Sequence, residues 1–298
     1  MSTPLRCGLL PGESPPVVLA RNAPLQAYLE EQLAMPVELI VGETYAATGE
    51  ALRAGRLDIA YLGPVTYILQ SRKAELEPFA RPTHAGSTGP TFQAVIVVPH
   101  ASPATSLHDL RGKEIALGDL ASTSGSWVPR HLLLEAGLVA ERDYRRRHFG
   151  GHDRVASAVA EMRVPAGGMS KEVYTRLLGE GLILPNSLRV LATSRSIPEY
   201  MWTFRAGLDP YLKEDLRQAF VRLRLPAPLH AYRADAFIPA VDADVDRVRQ
   251  WMEDILQARL VPGGAPLAFG EPGLDARTAS PFSCPFTNAS QPEIHPCP

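Results

Sequence analysis

Apolar positions along the chain recur with two alternating periods. Residues 5–10 form a short apolar run that reads as a buried strand, 11–16 a Pro-containing loop, and 23–34 a helix with Leu25, Tyr28, Leu29 and Leu33 on one face. A strand over 37–41, a helix over 44–54 ending before Gly55, a strand over 57–62 and a helix over 65–70 opened by Gly63-Pro64 complete a βαβαβα unit. Such alternation with short connections predicts α/β architecture: a mostly parallel sheet flanked by helices, with ligands gathering at the carboxyl ends of the strands.

The pattern restarts after an apolar strand over 92–98, long enough to be buried on both faces. The second alternating unit comprises strand 115–117, a helix beginning near residue 126, strand 147–149, helix 152–162, a short segment 164–167, helix 171–178 and strand 188–192. Residues 201–205 read as a strand returning to the first unit, covered by helices over 210–223 and 243–258. The expected organisation is a discontinuous first lobe (1–93 and 196–298) with a second lobe (94–195) inserted into it. Two chain crossings then make a hinge and a cleft. Residues 263–298 form a Pro-rich tail.

At 298 residues the chain has the length for two such lobes. Its net charge of -2, from 30 basic and 32 acidic residues, leaves no basic stripe for nucleic acid. The one run of like charge, Arg145-Arg146-Arg147, reads as a solvated connection. No segment approaches the roughly 18 to 20 apolar residues needed to span a bilayer, so no membrane insertion is expected. Cys7 reads as a small buried apolar residue, whereas Cys284 and Cys297, in the tail, would pair in an oxidising compartment or stand free. The chain carries no metal-ligand spacing, nucleotide-cradling glycine loop or nucleophile elbow, so no metal or cofactor is expected.

Candidate chemistry concentrates at Ser122-Thr123-Ser124-Gly125, between an apolar strand and a helix carrying Val128, Leu132, Leu133 and Ala136 at helical spacing. The first turn of a helix leaves backbone N–H groups unpaired at the positive end of the macrodipole, where a tetrahedral oxyanion can sit. Three hydroxyls stand beside those amides, and Gly125 allows close backbone approach. The same residues also make an ordinary N-cap.

The motifs Asp58-Ile-Ala-Tyr-Leu-Gly-Pro64, Asp109-Leu-Arg-Gly-Lys113, Ser122-Thr-Ser-Gly125, Gly150-Gly-His-Asp153 and Ser194-Arg-Ser-Ile-Pro198 occur in this order. Together, from about residue 5 to 258, the chain resembles the phosphate-, phosphite- and phosphonate-binding proteins of ABC importers, the PhnD-like family. The resemblance implies a two-lobed type II periplasmic-binding-protein fold holding a small oxyanion between closing lobes. It also implies an ABC permease partner. By the same resemblance Ser122, Thr123 and Ser124 donate to the oxyanion, Tyr45 reaches it from the first lobe, and His152 contacts it from its own helix start.

The chain departs from relatives at several positions. Phe92 stands where they carry a tyrosine, and Tyr200, after Glu199, where aminophosphonate binders carry an aspartate. Glu172 matches a glutamate for the ligand's ammonium group, and Pro165 replaces an aspartate near the hinge. One carboxylate is poorer support than two, so 2-aminoethylphosphonate is not the expected preferred ligand. The sequence as written also starts without an export leader, which the resemblance would require. An exported chain and a cytoplasmic relative are both open. Enzymes that share the fold, resembling thiamine-pyrimidine synthases and menaquinone-pathway enzymes, make catalysis the alternative, with His152 and Asp153 or Glu172 as its acid–base pair. The expectation is a binding protein, not an enzyme.

Overall fold

In the computed structural model, which describes residues 3–84 and 91–260, the first sheet is laid around β1 (Leu5–Leu9). Strand β2 (Val37–Val41) pairs parallel to it on one side and β3 (Ile59–Leu62) on the other. Helices α1 (Pro15–Leu33) and α2 (Tyr45–Arg53) make the crossovers, and α3 (Pro64–Ser71) leads onward to β4 (Glu77–Thr83). The returning strand β12 (Met201–Phe204) inserts between β3 and β4, and β13 (Ala236–Pro239) closes the far edge, giving the order β13-β4-β12-β3-β1-β2. Strands β1 to β4 run one way, with β12 and β13 against them. A buried carboxylate knits three of these strands. Asp58 accepts from the Arg6 guanidinium at 2.9 Å and from Arg205 at 3.0 Å.

The second sheet has the order β10-β6-β9-β7-β8, built from β6 (Ala94–Pro99), β7 (Glu114–Leu117), β8 (Arg145–His148), β9 (Ala166–Ser170) and β10 (Leu188–Thr193). Four strands share a direction and β6 opposes them. Its helices are α4 (Val128–Glu135), α5 (His152–Ala160) and α6 (Lys171–Gly179). The apolar run over 92–98 is interrupted at Gln93, so that β5 (Thr91–Phe92) pairs antiparallel with β11 (Ile197–Pro198). Both passages between the sheets thus lie side by side as a two-stranded ribbon, and the Ser194 hydroxyl accepts from the Ala94 amide at 2.9 Å.

Several elements differ from the sequence reading. Helix α1 starts at Pro15, not at 23, because prolines fit the first helical turn, where no N–H is needed. Strand β4, with Pro78 and Pro82, and β13, ending at Pro239, were absent from the sequence reading, because proline interrupts the strand pattern. The β4–β12 register shifts between Trp202 and Thr203, and Thr203 stands opposite Pro78. Arg145 to Arg147 is no solvated connection but part of β8, whose alternation turns Arg146 inward to a 2.6 Å pair with Glu141. The segment 164–167 is the approach and start of β9. Helix α7 (Pro210–Arg222) and the short α8 (Pro226–His230) cover the first sheet beside α1. Helix α9 (Asp246–Leu260) packs on both α3 and α4. Cys7 is buried, and burial pushes its thiol pKa up. Cys284, Cys297 and the tail lie outside the described residues. Among those described, no helix is long and apolar enough to cross a membrane.

Candidate oxyanion-binding cleft

The helix after Ser122 does not begin as an ordinary α-helix. Thr123–Trp127 forms a π-type turn, in which the Trp127 amide reaches back to the Ser122 carbonyl at 3.1 Å, before α4 continues. The wider turn follows from close backbone approach. The Gly125 carbonyl accepts from Gly118 at the end of β7 at 2.7 Å, and a Cβ on Gly125 would lie 2.9 Å from both the Ser122 hydroxyl and His152 Cε1. Glycine is therefore required there.

The three hydroxyls of the turn are buried and have different duties. Ser122 Oγ is the cap, accepting from the Gly125 amide at 3.1 Å. Thr123 Oγ1 accepts from the Val65 amide at the start of α3 at 3.0 Å and so ties the two halves together. Its hydroxyl proton is left over for another acceptor. Ser124 Oγ has no hydrogen-bond partner. Among the described hydrogen bonds the amides of Thr123 and Ser124 also have no protein acceptor. A buried hydroxyl and two buried amides left together at a helix start are costly unless something occupies them. Donors grouped in this way suit an acceptor, such as an anion.

Opposite this turn, Tyr45 opens α2 at the carboxyl end of the first sheet. Its amide donates to Asp119 at 3.1 Å, and burial and the Asp119 charge raise its phenol pKa, partly offset by the hydroxyls of Ser122 and Tyr200 beside it. The phenol therefore stays protonated and able to donate. His152 opens α5; its amide donates to the Gly12 carbonyl at 3.2 Å and its Nδ1 accepts from the Ser170 amide at 3.4 Å. That contact puts the proton of the neutral ring on Nε2. Burial holds the His152 pKa down at about 4, against the opposing charge of Asp153. The neutral ring thus keeps its proton on Nε2.

A cavity of about 210 Å³ joins these groups, lined among others by Tyr45, Phe92, Ser124, His152 and Tyr200. Ser122 and Thr123 are not among its lining residues. Glu172 is not among the lining residues. Its carboxylate accepts from the Ser170 hydroxyl at 2.7 Å and the Gln93 amide at 3.3 Å, beside the crossing ribbon. Phe92 packs edge-on against Tyr200, with ring centroids 5.5 Å apart.

The sequence reading gave no role in the site to Glu13, Arg21, Tyr232 and Arg233, which also line the cavity. They come from a Pro-rich segment and from a stretch with no motif. Glu199 lines it too, and its only sequence signal was its place after Ile197-Pro198. Across the cavity mouth Glu13 pairs with both Arg21 and Arg176, linking α1 to α6. Among the described residues no cluster of metal-ligating side chains occurs.

Two α/β halves joined by a double crossing around a polar cleft define a binding protein of the type II periplasmic class. The chain belongs to the family described as the periplasmic phosphonate-binding protein of an ABC transporter, which matches residues 7–245. The phosphate-import protein PhnD of Mycolicibacterium smegmatis is 26% identical over 266 residues, covering 80% of this chain and 82% of that protein. Among solved structures, the binding component of a Pseudomonas aeruginosa ABC phosphonate transporter superposes with a TM-score of 0.78, at 21% identity, covering 87% of this chain and 88% of that one. A PhnD protein of Prochlorococcus marinus in complex with methylphosphonate superposes with a TM-score of 0.75, at 19% identity, covering 85% and 98%. The chain is thus a substrate-binding protein of that family, whose named relatives are binding components and not enzymes.

Proposed function

We propose that the cleft captures one small tetrahedral phosphorus oxyanion (phosphonate, phosphite or phosphate) and presents it to an ABC permease. The observation that carries this reading is the unpartnered Ser124 hydroxyl, buried beside the free amides of Thr123 and Ser124. Those three donors, the remaining proton of Thr123, Tyr45 Oη and His152 Nε2 would surround an oxyanion without any cationic side chain of the turn itself. Burial in a closed cleft strengthens each bond by removing competing water. Among the described residues we assign one lobe to those before 94 together with those after 195 and the other to 94–195, with the ribbon at Phe92 and Ile197 as their hinge.

A thermal-shift screen with phosphate, phosphite, methylphosphonate and sulfate tests the reading, because a ligand that binds only the folded state raises Tm by mass action. The expected result is stabilisation by at least one phosphorus oxyanion and loss of that shift in Ser124→Ala. No shift with any phosphorus oxyanion, or an unchanged shift in the variant, contradicts the assignment.

A further inference from the structure

Away from the Ser124 turn the cavity reaches a polar group that an oxyanion does not need. Glu199, between β11 and β12, lines the cavity at 7% exposure, and its Oε2 is buried without a hydrogen-bond partner. A carboxylate taken out of water normally accepts two or three hydrogen bonds, so this oxygen stands ready for a donor. The cavity also has room for more than an inorganic ion. Its 210 Å³ exceeds several times the roughly 30 Å³ that one water occupies in the liquid, and the rings of Tyr61, Tyr200 and Phe92 supply apolar wall between the two polar ends.

The charge of Glu199 is already answered. His84 Nε2 lies 3.9 Å from Oε2, and His84 Nδ1 is bound to the Arg233 carbonyl. The Glu199 carboxylate raises the His84 pKa despite burial, and Arg233 lines the same cavity. At 3.9 Å the His84 contact is beyond hydrogen-bond length, so Oε2 has a basic neighbour without a short hydrogen bond. The other candidate carboxylate, Glu172, already accepts from the Ser170 hydroxyl and the Gln93 amide.

Resting on the oxyanion reading above, we propose that Glu199 selects phosphonates whose carbon substituent ends in an uncharged hydrogen-bond donor. The ligand class is hydroxyalkylphosphonate, its phosphonate at the Ser124 turn and its hydroxyl donating to Glu199. Tyr61, Tyr200 and Phe92 cover the intervening carbon atoms.

Calorimetric titration of the full chain with methylphosphonate, ethylphosphonate, 2-hydroxyethylphosphonate and 2-aminoethylphosphonate tests this, repeated in Glu199→Leu and Glu199→Gln. The hydroxyl compound is expected to bind about tenfold or more tightly than its ethyl counterpart, the scale of a hydrogen bond to a charged group. That advantage disappears in Glu199→Leu and persists in part in Glu199→Gln, while methylphosphonate affinity changes by less than about threefold. Equal binding of the ethyl and hydroxyethyl compounds overturns the proposal, as does a preference that survives Glu199→Leu. Tightest binding of 2-aminoethylphosphonate overturns it in favour of an ammonium site. Should Glu199→Leu fail to fold, the wild-type ligand series and Glu199→Gln still decide. Binding of methylphosphonate without a hydroxyl preference removes this inference alone, whereas no binding of any phosphonate removes the oxyanion reading as well.

Discussion

Ser124 and Thr123 sit one residue apart in the same turn, yet they answer different questions. Ser124 Oγ, beside the Tyr200 phenol, makes no hydrogen bond of good geometry in the protein, so Ser124→Ala should leave the unliganded Tm unchanged or slightly raised. Its ligand affinity should fall about tenfold or more. Thr123→Val leaves the Val65 amide without its acceptor and costs about 1–3 kcal/mol of stability as well as affinity. Thermal melts of both variants, with and without ligand, separate binding from folding. His152 supplies a pH test. Its pKa in the folded chain, about 4, lies below the ordinary histidine value of 6.5. Between those values the unfolded chain binds a proton that the native chain refuses. The stability conferred by the neutral ring is therefore complete above about pH 6.5 and declines as pH falls toward 4, by on the order of 3 kcal/mol. Replacing His152 by Asn should flatten that part of the stability–pH curve; an unchanged slope argues against a buried neutral histidine.

At the scale of elements, the alternating pattern exposed β1 to β3, the second unit and the returning strand, because each carries its own period. It failed where proline overrides local pattern: at the start of α1, in β4 and in β13. The turn at Ser122 was legible as an anion site or a cap; the structure shows the cap, with Ser122 Oγ on the Gly125 amide, and leaves Ser124 Oγ without a partner. The π-type opening was not legible, because it depends on Gly118 and His152 meeting Gly125 across the fold. Glu199 was equally hidden, since only the cavity tells it from a surface carboxylate. Asp58, by contrast, belongs to the joints of the sheet. Burial by itself would raise its pKa, but hydrogen bonds from the Arg6 side chain and backbone and from the Arg205 side chain outweigh that and lower it. Its stabilisation is present above the ordinary carboxylate pKa and is lost as pH falls through the lowered value. Asp58→Ala strands two guanidinium groups, and chemical denaturation should show a loss on the order of 3 kcal/mol. A loss under 1 kcal/mol would mean that water replaces the carboxylate.

For the whole molecule, function depends on two sheets meeting over one cleft. Glu13 holds Arg176 across its mouth, and Arg21 stands within 3.7 Å of Glu180. Such partly exposed pairs contribute little each. Arg176→Gln should speed ligand release by no more than about fivefold, with a stronger effect at low salt, as stopped-flow dissociation can read. The central claim is the location of the anion, and a crystal structure grown with methylphosphonate tests it most directly. The account predicts phosphonate oxygens within about 3 Å of the Thr123 and Ser124 amides, the Ser124 and Tyr45 hydroxyls and His152 Nε2. Methylphosphonate bound elsewhere, or those donors bound only to water at saturating ligand, would contradict it.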